Sequence, residues 1–141
     1  MKEKRNGRVL VGKVMFLLFI AFGAQTWASG GNMDKPDLVV RKQDSGKEFS
    51  LKSGQVIQVQ LEAMGGAGYW WYVQNLDPRY FELLSENTRP ASEGRVGGPV
   101  LALWTFQAKG TGDAEIKMDY FRSWEGVASA SEHFRVKIHI E

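Results

Sequence analysis

Few residues in this sequence have side chains that could carry out chemistry. Cysteine is absent, which excludes a thiolate nucleophile, a disulfide framework and a cysteine-based metal site. The two histidines, His133 and His139, are six residues apart on a predicted strand. At a rise of about 3.3 Å per residue they lie roughly 20 Å from each other and cannot share a metal ion. No serine occupies a G-x-S-x-G nucleophile elbow, and the carboxylates fall at strand positions expected to face solvent. The sequence therefore predicts a protein that is not an enzyme and that binds no metal or cofactor.

A glycine-rich stretch, "GGAG" at residues 65–68, directly precedes the aromatic run "YWWY" at residues 69–72. Glycine-rich loops hold phosphate when a helix follows, because the helix N-terminus supplies the N–H groups that bind the anion. Here the following residues favour a β-strand, so a nucleotide site is not predicted. The stretch instead fits a loop whose backbone bends and approaches another surface, since glycine has no Cβ and tolerates positive φ.

Two more loops combine flexible residues with residues typical of protein interfaces. "EGRVGGPV" at residues 93–100 is again rich in glycine, and "YFRSWEG" at residues 120–126 carries Arg122 and Trp124. Tryptophan and arginine are side chains that often anchor protein–protein interfaces. Two interpretations remain open from these residues alone. Either the three loops form a recognition surface, or they are ordinary turns with Trp124 folded back onto the domain.

Apolar and polar residues alternate with a period of two along much of the chain, which predicts β-strands with one face in a core and one in water. The clearest segments are residues 55–62, 114–122 and 133–141, and further candidates are residues 37–42, 48–52, 69–75 and 100–108. Residues 78–86 fit either a strand or a short turn. Within the segment 114–122, the alternation predicts that Asp119 and Phe121 face solvent.

About seven to eight short strands separated by turn signals predict an all-β fold, an immunoglobulin-like β-sandwich. Trp71 falls early in one of these strands, where such sandwiches often bury a tryptophan. The three loops correspond to the B–C, D–E and F–G connections of this architecture. They are expected to lie at the same end of the sandwich, because each strand reverses the direction of the chain.

The first 28 residues predict a cleaved secretory signal peptide. Five basic residues precede an apolar run of 11 residues at 14–24, and small residues follow at Ala28 and Ser29. A membrane-spanning helix needs about 20 apolar residues, so we expect no stable membrane insertion after cleavage. We expect cleavage after Ala28, a flexible leader over residues 29–36, a sandwich domain over residues 37–141, and a secreted or periplasmic protein.

The apparent basicity of the chain belongs to the signal peptide. The sequence has 18 basic and 16 acidic residues, of which residues 1–28 hold five and one, so 13 and 15 remain and the formal net charge of that remainder is −2. No nucleic-acid-binding surface is therefore predicted.

The order and spacing of three short motifs resemble the chagasin family, whose members inhibit papain-like cysteine peptidases. The motifs are Gly-Tyr-x-Trp at residues 68–71, Gly-x-x-Gly-Gly at residues 94–98 and Arg-x-Trp at residues 122–124. The similarity extends over about residues 46–140, nearly the whole predicted domain. It implies a reversible, competitive inhibitor that inserts three loops at one end of the sandwich into the active-site cleft of the peptidase. We expect this inhibitor to be a monomer.

The resemblance also implies a role for each loop. The first would lie over the catalytic cysteine of the peptidase, the second would pair its backbone along one side of the cleft, and the third would place an aromatic residue against the other side. Carried onto this sequence, the peptidase-binding residues are Met64, Gly65, Gly66, Ala67 and Gly68 in the first loop, Arg95, Val96, Gly97, Gly98 and Pro99 in the second, and Arg122, Ser123 and Trp124 in the third.

The sequence departs from the family pattern in two of the loops. The first loop of the family usually reads Asn-Pro-Thr-Thr-Gly, of which this chain keeps only Gly68, and Ser123 replaces the proline of the usual Arg-Pro-Trp. Less preorganised loops cost more to order on binding, so we expect weaker inhibition than for a typical member, or a different target. The alternative function is a non-inhibitory immunoglobulin-like binding module of the cell envelope, in which an outer strand face rather than the loop tips carries the affinity.

Overall fold

Eight β-strands form in the computed structural model of the chain, which describes residues 35–93 and 96–141. The strands are β1 (Leu38–Arg41), β2 (Glu48–Leu51), β3 (Val56–Ala63), β4 (Tyr69–Gln74), β5 (Phe81–Pro90), β6 (Val100–Ala108), β7 (Gly112–Arg122) and β8 (Glu132–Ile140). The predicted signal peptide, most of the predicted leader, and Arg95 of the predicted site lie outside the described residues. In the part that is described, no helix is long or apolar enough to cross a membrane.

The strands form two four-stranded sheets, in the orders β1-β3-β6-β5 and β2-β8-β7-β4. The two short strands β1 and β2 run parallel to their neighbours β3 and β8, and the remaining pairs are antiparallel. The all-β prediction is confirmed, and the two sheets are consistent with an immunoglobulin-like sandwich. Every segment predicted to be a strand forms one, with boundaries that differ by at most two residues.

The core consists of the inward-facing residues of both sheets. Four apolar residues of β8 are each at most 1% exposed, namely Phe134, Val136, Ile138 and Ile140. They alternate with polar residues, so the period of two is the signal that places this strand. Trp71 is 2% exposed and donates a hydrogen bond from its indole N–H to a backbone carbonyl. Its predicted burial is therefore confirmed.

The predicted exposure is wrong for two residues of β7. Asp119 and Phe121 were predicted to face water, but they are only 6% and 8% exposed. Phe121 packs against the ring of Tyr72 on the neighbouring strand, with centroids 4.5 Å apart. Asp119 is covered by Arg135 and His133, which both donate hydrogen bonds to it. Both residues lie on the outer face of a central strand, where side chains of the adjacent strands exclude water.

The ambiguous segment at residues 78–86 divides into a turn and a strand. The backbone N–H groups of Tyr80 and Phe81 both donate to the carbonyl of Asp77, and Arg79 forms an ion pair with the Asp77 carboxylate at 2.7 Å. Phe81 then begins β5 with a side chain that is 2% exposed. The segment therefore begins as a turn, and from Phe81 onwards it is a strand.

Candidate functional site

The strand register brings three loops to one end of the sandwich. We name them loop 1 (residues 64–68), loop 2 (residues 91–99) and loop 3 (residues 123–131). The last residue of β3, Ala63, pairs with the first residue of β6, Val100, so loops 1 and 2 are adjacent. The first residue of β4, Tyr69, pairs with the last residue of β7, Arg122, so loops 1 and 3 are adjacent.

Loop 1 is a closed backbone turn. Residues Gly65–Ala67 form one turn of 3₁₀ helix, in which the N–H groups of Ala67 and Gly68 donate to the carbonyls of Met64 and Gly65 at 3.0 Å. Gly68 ends the turn with φ of 82°, in the left-handed region that favours glycine. Gly65 and Gly66 are not among the residues with positive φ. A Cβ on Gly66 would meet no atom within 4 Å. The conformation of the free loop therefore requires glycine at position 68 but not at position 66.

Aromatic residues of β4 and β7 support loop 1 from below. The Tyr120 hydroxyl accepts a hydrogen bond from the backbone N–H of Met64 at 2.8 Å. The Tyr120 ring stacks on Tyr69 at 5.3 Å and contacts Trp71 at 4.9 Å. The indole N–H of Trp71 donates to the carbonyl of Glu62 at 2.9 Å, just before the loop. The aromatic run that follows the glycines thus forms the base on which the loop is held.

Arg122 connects loop 1 to loop 3. Its Nε donates to the carbonyl of Ala67 at 3.1 Å, and its Nη1 pairs with the carboxylate of Glu125 at 3.3 Å. The guanidinium lies over the Tyr69 ring, 4.4 Å from the centroid, and 5.8 Å from the centroid of Trp124. A further bond, from the Glu125 N–H to the Arg122 carbonyl at 2.9 Å, closes the turn that contains Ser123. Hydrogen bonds therefore constrain this turn where the family usually has proline.

Trp124 lies across loop 1 and remains accessible to solvent. Its side chain is 70% exposed, so it is not folded into the core. The six-membered part of the indole rests directly on Gly68, where an added Cβ would come within 2.1 Å of a ring carbon. The exposed ring is thereby seated on the one residue of loop 1 that matches the usual family pattern.

Loop 2 extends the same end of the sandwich. The N–H of Ala91 donates to the carbonyl of Pro99 at 3.2 Å, which closes the base of the loop. Val96 is fully exposed, and Gly97 adopts a φ of 80°. Gly98 and Pro99 are half-buried. This loop, too, projects an apolar side chain, that of Val96, into solvent.

Exposed apolar side chains are concentrated at this end. Among the described residues, the exposed large apolar side chains are Met64, Leu83, Val96, Trp124 and Val127, and all except Leu83 belong to the three loops. Val127 was missed by the sequence analysis because it follows the recognised Arg-x-Trp motif. The signal that could have identified it is an apolar residue directly after the turn glycine Gly126, at the start of a 3₁₀ turn.

A fourth connection at this end was also missed. Because β1 and β2 run parallel to β3 and β8, the segment between them, residues 42–47, lies beside the loops. Lys42 forms an ion pair with Glu132 at the start of β8, at 2.5 Å. A cleft of about 380 Å³ separates this segment from Met64 and Pro99. Within the segment, hydrogen bonds from the Lys47 ammonium and from the Arg41 N–H lower the pKa of Asp44.

The chemistry available at this end is recognition. In the part of the chain that the structure describes, no three histidine, aspartate or glutamate side chains lie close enough to hold a metal ion. The loops instead present backbone amides, an exposed tryptophan and aliphatic side chains on a rigid base. Such an exposed, partly apolar surface is suited to binding another protein.

Comparison with known proteins identifies the family. A search of the curated proteins gives no match. Among solved structures, a cysteine protease inhibitor of Entamoeba histolytica, EhICP2, is similar with a TM-score of 0.66 and 20% identity, covering 76% of this chain and all of its own. Amebosin has a TM-score of 0.56 and 17% identity, with 76% and 100% coverage. PbICP-C, solved in complex with falcipain-2, has a TM-score of 0.56 and 13% identity, with 73% and 98% coverage.

These structural similarities are at low sequence identity and establish the fold. The family itself is established by the sequence match to the model of the Chagasin family peptidase inhibitor I42, which spans residues 50–138, more than half of the chain. A family of peptidase inhibitors agrees with the prediction that this chain is not an enzyme. With its eight-stranded sandwich and this match, the protein belongs to the chagasin family of peptidase inhibitors.

Proposed function

We propose that this protein is a reversible, competitive inhibitor of papain-like cysteine peptidases and that its three loops enter the active-site cleft together. The observation that carries the proposal is the clustering of Met64, Val96, Trp124 and Val127 at one end of the sandwich. Apolar groups exposed together are typical of a surface that becomes buried against a partner. An exposed tryptophan within such a surface is typical of an energetic anchor.

The relatives support the class of partner. EhICP2 is described as a cysteine protease inhibitor, and PbICP-C was solved in complex with falcipain-2. A cysteine peptidase is therefore the partner that we propose for this chain. Among the described residues, no group of three histidine, aspartate or glutamate side chains could hold a metal ion, which is compatible with blocking a peptidase rather than cleaving a substrate.

Loop 1 is proposed to cover the catalytic cysteine through its backbone. Gly65 and Gly66 are exposed and carry no side chain, so the main chain can approach the wall of a narrow cleft. The 3₁₀ turn is a closed structure, held at Met64 by Tyr120 and at Ala67 by Arg122. It would fill the cleft without offering an extended strand for cleavage.

Hydrogen bonding offsets part of the expected loss of preorganisation. The proline residues usual in the family are missing from loops 1 and 3, but both turns are closed by backbone hydrogen bonds, in loop 3 between Glu125 and Arg122. An ordered loop loses less conformational entropy on binding. We therefore propose that the altered loops still inhibit.

The first test is a titration of residues 29–141 against papain and a cathepsin-type peptidase, with residual activity as the readout. Competitive, saturable inhibition is expected. Trp124→Ala should weaken binding by about 2 kcal/mol, roughly 30-fold in Ki, as loss of a buried anchor does. The melting temperature should change little, because the Trp124 side chain is 70% exposed in the free protein.

Leu83→Ala is the matched control, because Leu83 is the exposed apolar residue that lies outside the loops. It should leave Ki unchanged. No inhibition at a protein concentration of about 100 μM, where a complex worth only about 5.5 kcal/mol would be detected, would favour the non-inhibitory binding module. If Trp124→Ala and Leu83→Ala raised Ki by the same factor, the loop mechanism would be contradicted.

We further propose that the protein is secreted or periplasmic, on the strength of the basic and apolar pattern of residues 1–28. The expected mature N-terminus is Ser29. Mass spectrometry of the protein recovered from the producing cells and their medium checks this, and a chain that retains residues 1–28 would contradict it.

A further inference from the structure

We propose that Arg122 is a positioning residue that joins loops 1 and 3 into a single recognition unit, with Gly68 as the seat of Trp124. This inference rests on the proposed inhibitory function. It differs from the role that the family resemblance implies for Arg122, which is direct contact with the peptidase.

Two of the five N–H donors of Arg122 bind neighbouring loops of the protein. Its Nε donates to Ala67 of loop 1, and its Nη1 pairs with Glu125 of loop 3. Its planar face lies 4.4 Å from the centroid of the Tyr69 ring, and its side chain is 33% exposed. A planar guanidinium can donate in its plane and stack through its face at the same time, which a lysine ammonium cannot do. Arg122 thus holds the two loops at a defined separation.

Gly68 provides a second connection between the same loops. The indole of Trp124 occupies the space where a side chain at position 68 would begin, since an added Cβ would lie 2.1 Å from one ring carbon and 2.8 Å from another. The contact exists only because position 68 is glycine. Any side chain there must displace the ring, and at a φ of 82° it would also strain the backbone.

Together these contacts make the position of Trp124 depend on loop 1. The guanidinium of Arg122 lies over the Trp124 ring, 5.8 Å from its centroid, so the ring is next to both Gly68 of loop 1 and Arg122. Loop 2 has a separate closure through Ala91 and Pro99. We therefore expect loops 1 and 3 to contribute to binding as one unit, and loop 2 to contribute independently.

The test is a double-mutant cycle on peptidase inhibition. Arg122→Lys retains the charge but loses the stacking face and the fork of donors, and it should raise Ki about 10-fold. If Arg122 acts by positioning Trp124, the same substitution in a Trp124→Ala background should raise Ki by less than about threefold. Gly68→Ala should show the same pattern. Arg122→Lys combined with Val96→Ala in loop 2 is the control, and those two effects should multiply.

A second readout needs no peptidase. In a ¹H–¹⁵N NMR spectrum of the free protein, the indole N–H signal of Trp124 is identified by its loss in Trp124→Ala. Arg122→Lys and Gly68→Ala should both shift this signal, and Val96→Ala should not.

The two readouts separate failure of this inference from failure of the proposed function. Equal fold-changes in Ki for Arg122→Lys in both backgrounds would mean that Arg122 contacts the peptidase directly, and the inference would be overturned. An indole signal that neither substitution shifts would overturn it as well. If the native protein inhibits no peptidase while both substitutions shift the signal, the connection between the loops stands and the proposed function fails.

Discussion

At the scale of single residues, hydrogen bonds from two residues of the neighbouring strand β8 stabilise the ionised carboxylate of Asp119. The alternation along β7 does not predict these partners. The carboxylate is 6% exposed, and burial by itself would raise its pKa. Hydrogen bonds from His133 and Arg135, both at 2.7 Å, outweigh this and lower the pKa of Asp119 below its ordinary value. Arg135 also donates to the carbonyls of Met118 and Phe134, so the cluster ties β7 to β8.

Replacing Asp119 by Asn should lower the free energy of unfolding by about 2 kcal/mol at pH 7, because charge-assisted hydrogen bonds are lost. Since the pKa of Asp119 in the folded protein lies below the ordinary value of 3.8, its stabilising contribution is complete above that pH and is lost as the pH falls through the folded value. The difference in the free energy of unfolding between the native protein and Asp119→Asn should therefore become smaller below pH 3.8.

Urea denaturation at several pH values measures that difference. Asp113→Asn is the control, because Asp113 also bonds a histidine, His139, but its side chain is 88% exposed. It should have little effect on stability. If Asp119→Asn lowered the free energy of unfolding by the same amount at every pH, the assigned role of the carboxylate would be contradicted.

At the scale of elements, the glycines of loop 1 divide into those that the fold needs and those that it does not. Gly66→Ala should leave stability unchanged or raise it by about 0.5 kcal/mol, because the backbone conformation suits alanine and the unfolded chain loses freedom. Gly68→Ala should lower it by about 1 kcal/mol or more, since its φ is positive. Thermal denaturation measures both effects.

The glycine substitutions in loop 1 should affect inhibition differently from stability. If loop 1 lies against the peptidase through its backbone, the methyl group of Gly66→Ala should weaken inhibition in a protein that is as stable as the native one. Undiminished inhibition by the Gly66→Ala variant would mean that this part of the loop does not approach the cleft.

At the scale of the whole molecule, the three loops lie at one end of the sandwich. The start of β1 and the end of β8 lie at the opposite end. Glu132, at the start of β8, is near loop 3, whereas Ile140 pairs with Gly112 at the far end, about 30 Å away for nine residues of strand. Leu38 likewise pairs with Ile57, far from loop 1. A partner entering at the loops therefore leaves this far end free.

A folded domain fused after Glu141 should leave Ki within about twofold of the native value, because no contact energy is lost when the binding end is unobstructed. The same domain inserted after Val127, in loop 3, should abolish inhibition. Inhibition assays on both fusions, with melting temperatures to show that each is folded, provide the comparison. Strong interference by the C-terminal fusion would contradict a binding surface confined to the loop end.

Several features could be predicted from the sequence because they depend on local patterns. The period of two placed β3, β7 and β8, and the glycine-punctuated segments between them located the three loops. Trp71 was predicted to be buried from its place within a strand, and it is. The strand and loop inferences need only the residues of one segment and the geometry of an extended chain. The burial of Trp71 needs, in addition, the usual place of a tryptophan in such sandwiches.

The remaining features depend on which strands are neighbours, and the tertiary structure alone decided them. Asp119 and Phe121 are outward on their own strand yet buried, because Arg135 and Tyr72 approach from adjacent strands. The segment at residues 42–47 reaches the loop end because β1 and β2 pair in parallel. Arg122 bonds Ala67, 55 residues away. Contacts over such separations are set by strand pairing and not by local sequence, so the loops themselves could be predicted but not the connection that joins two of them.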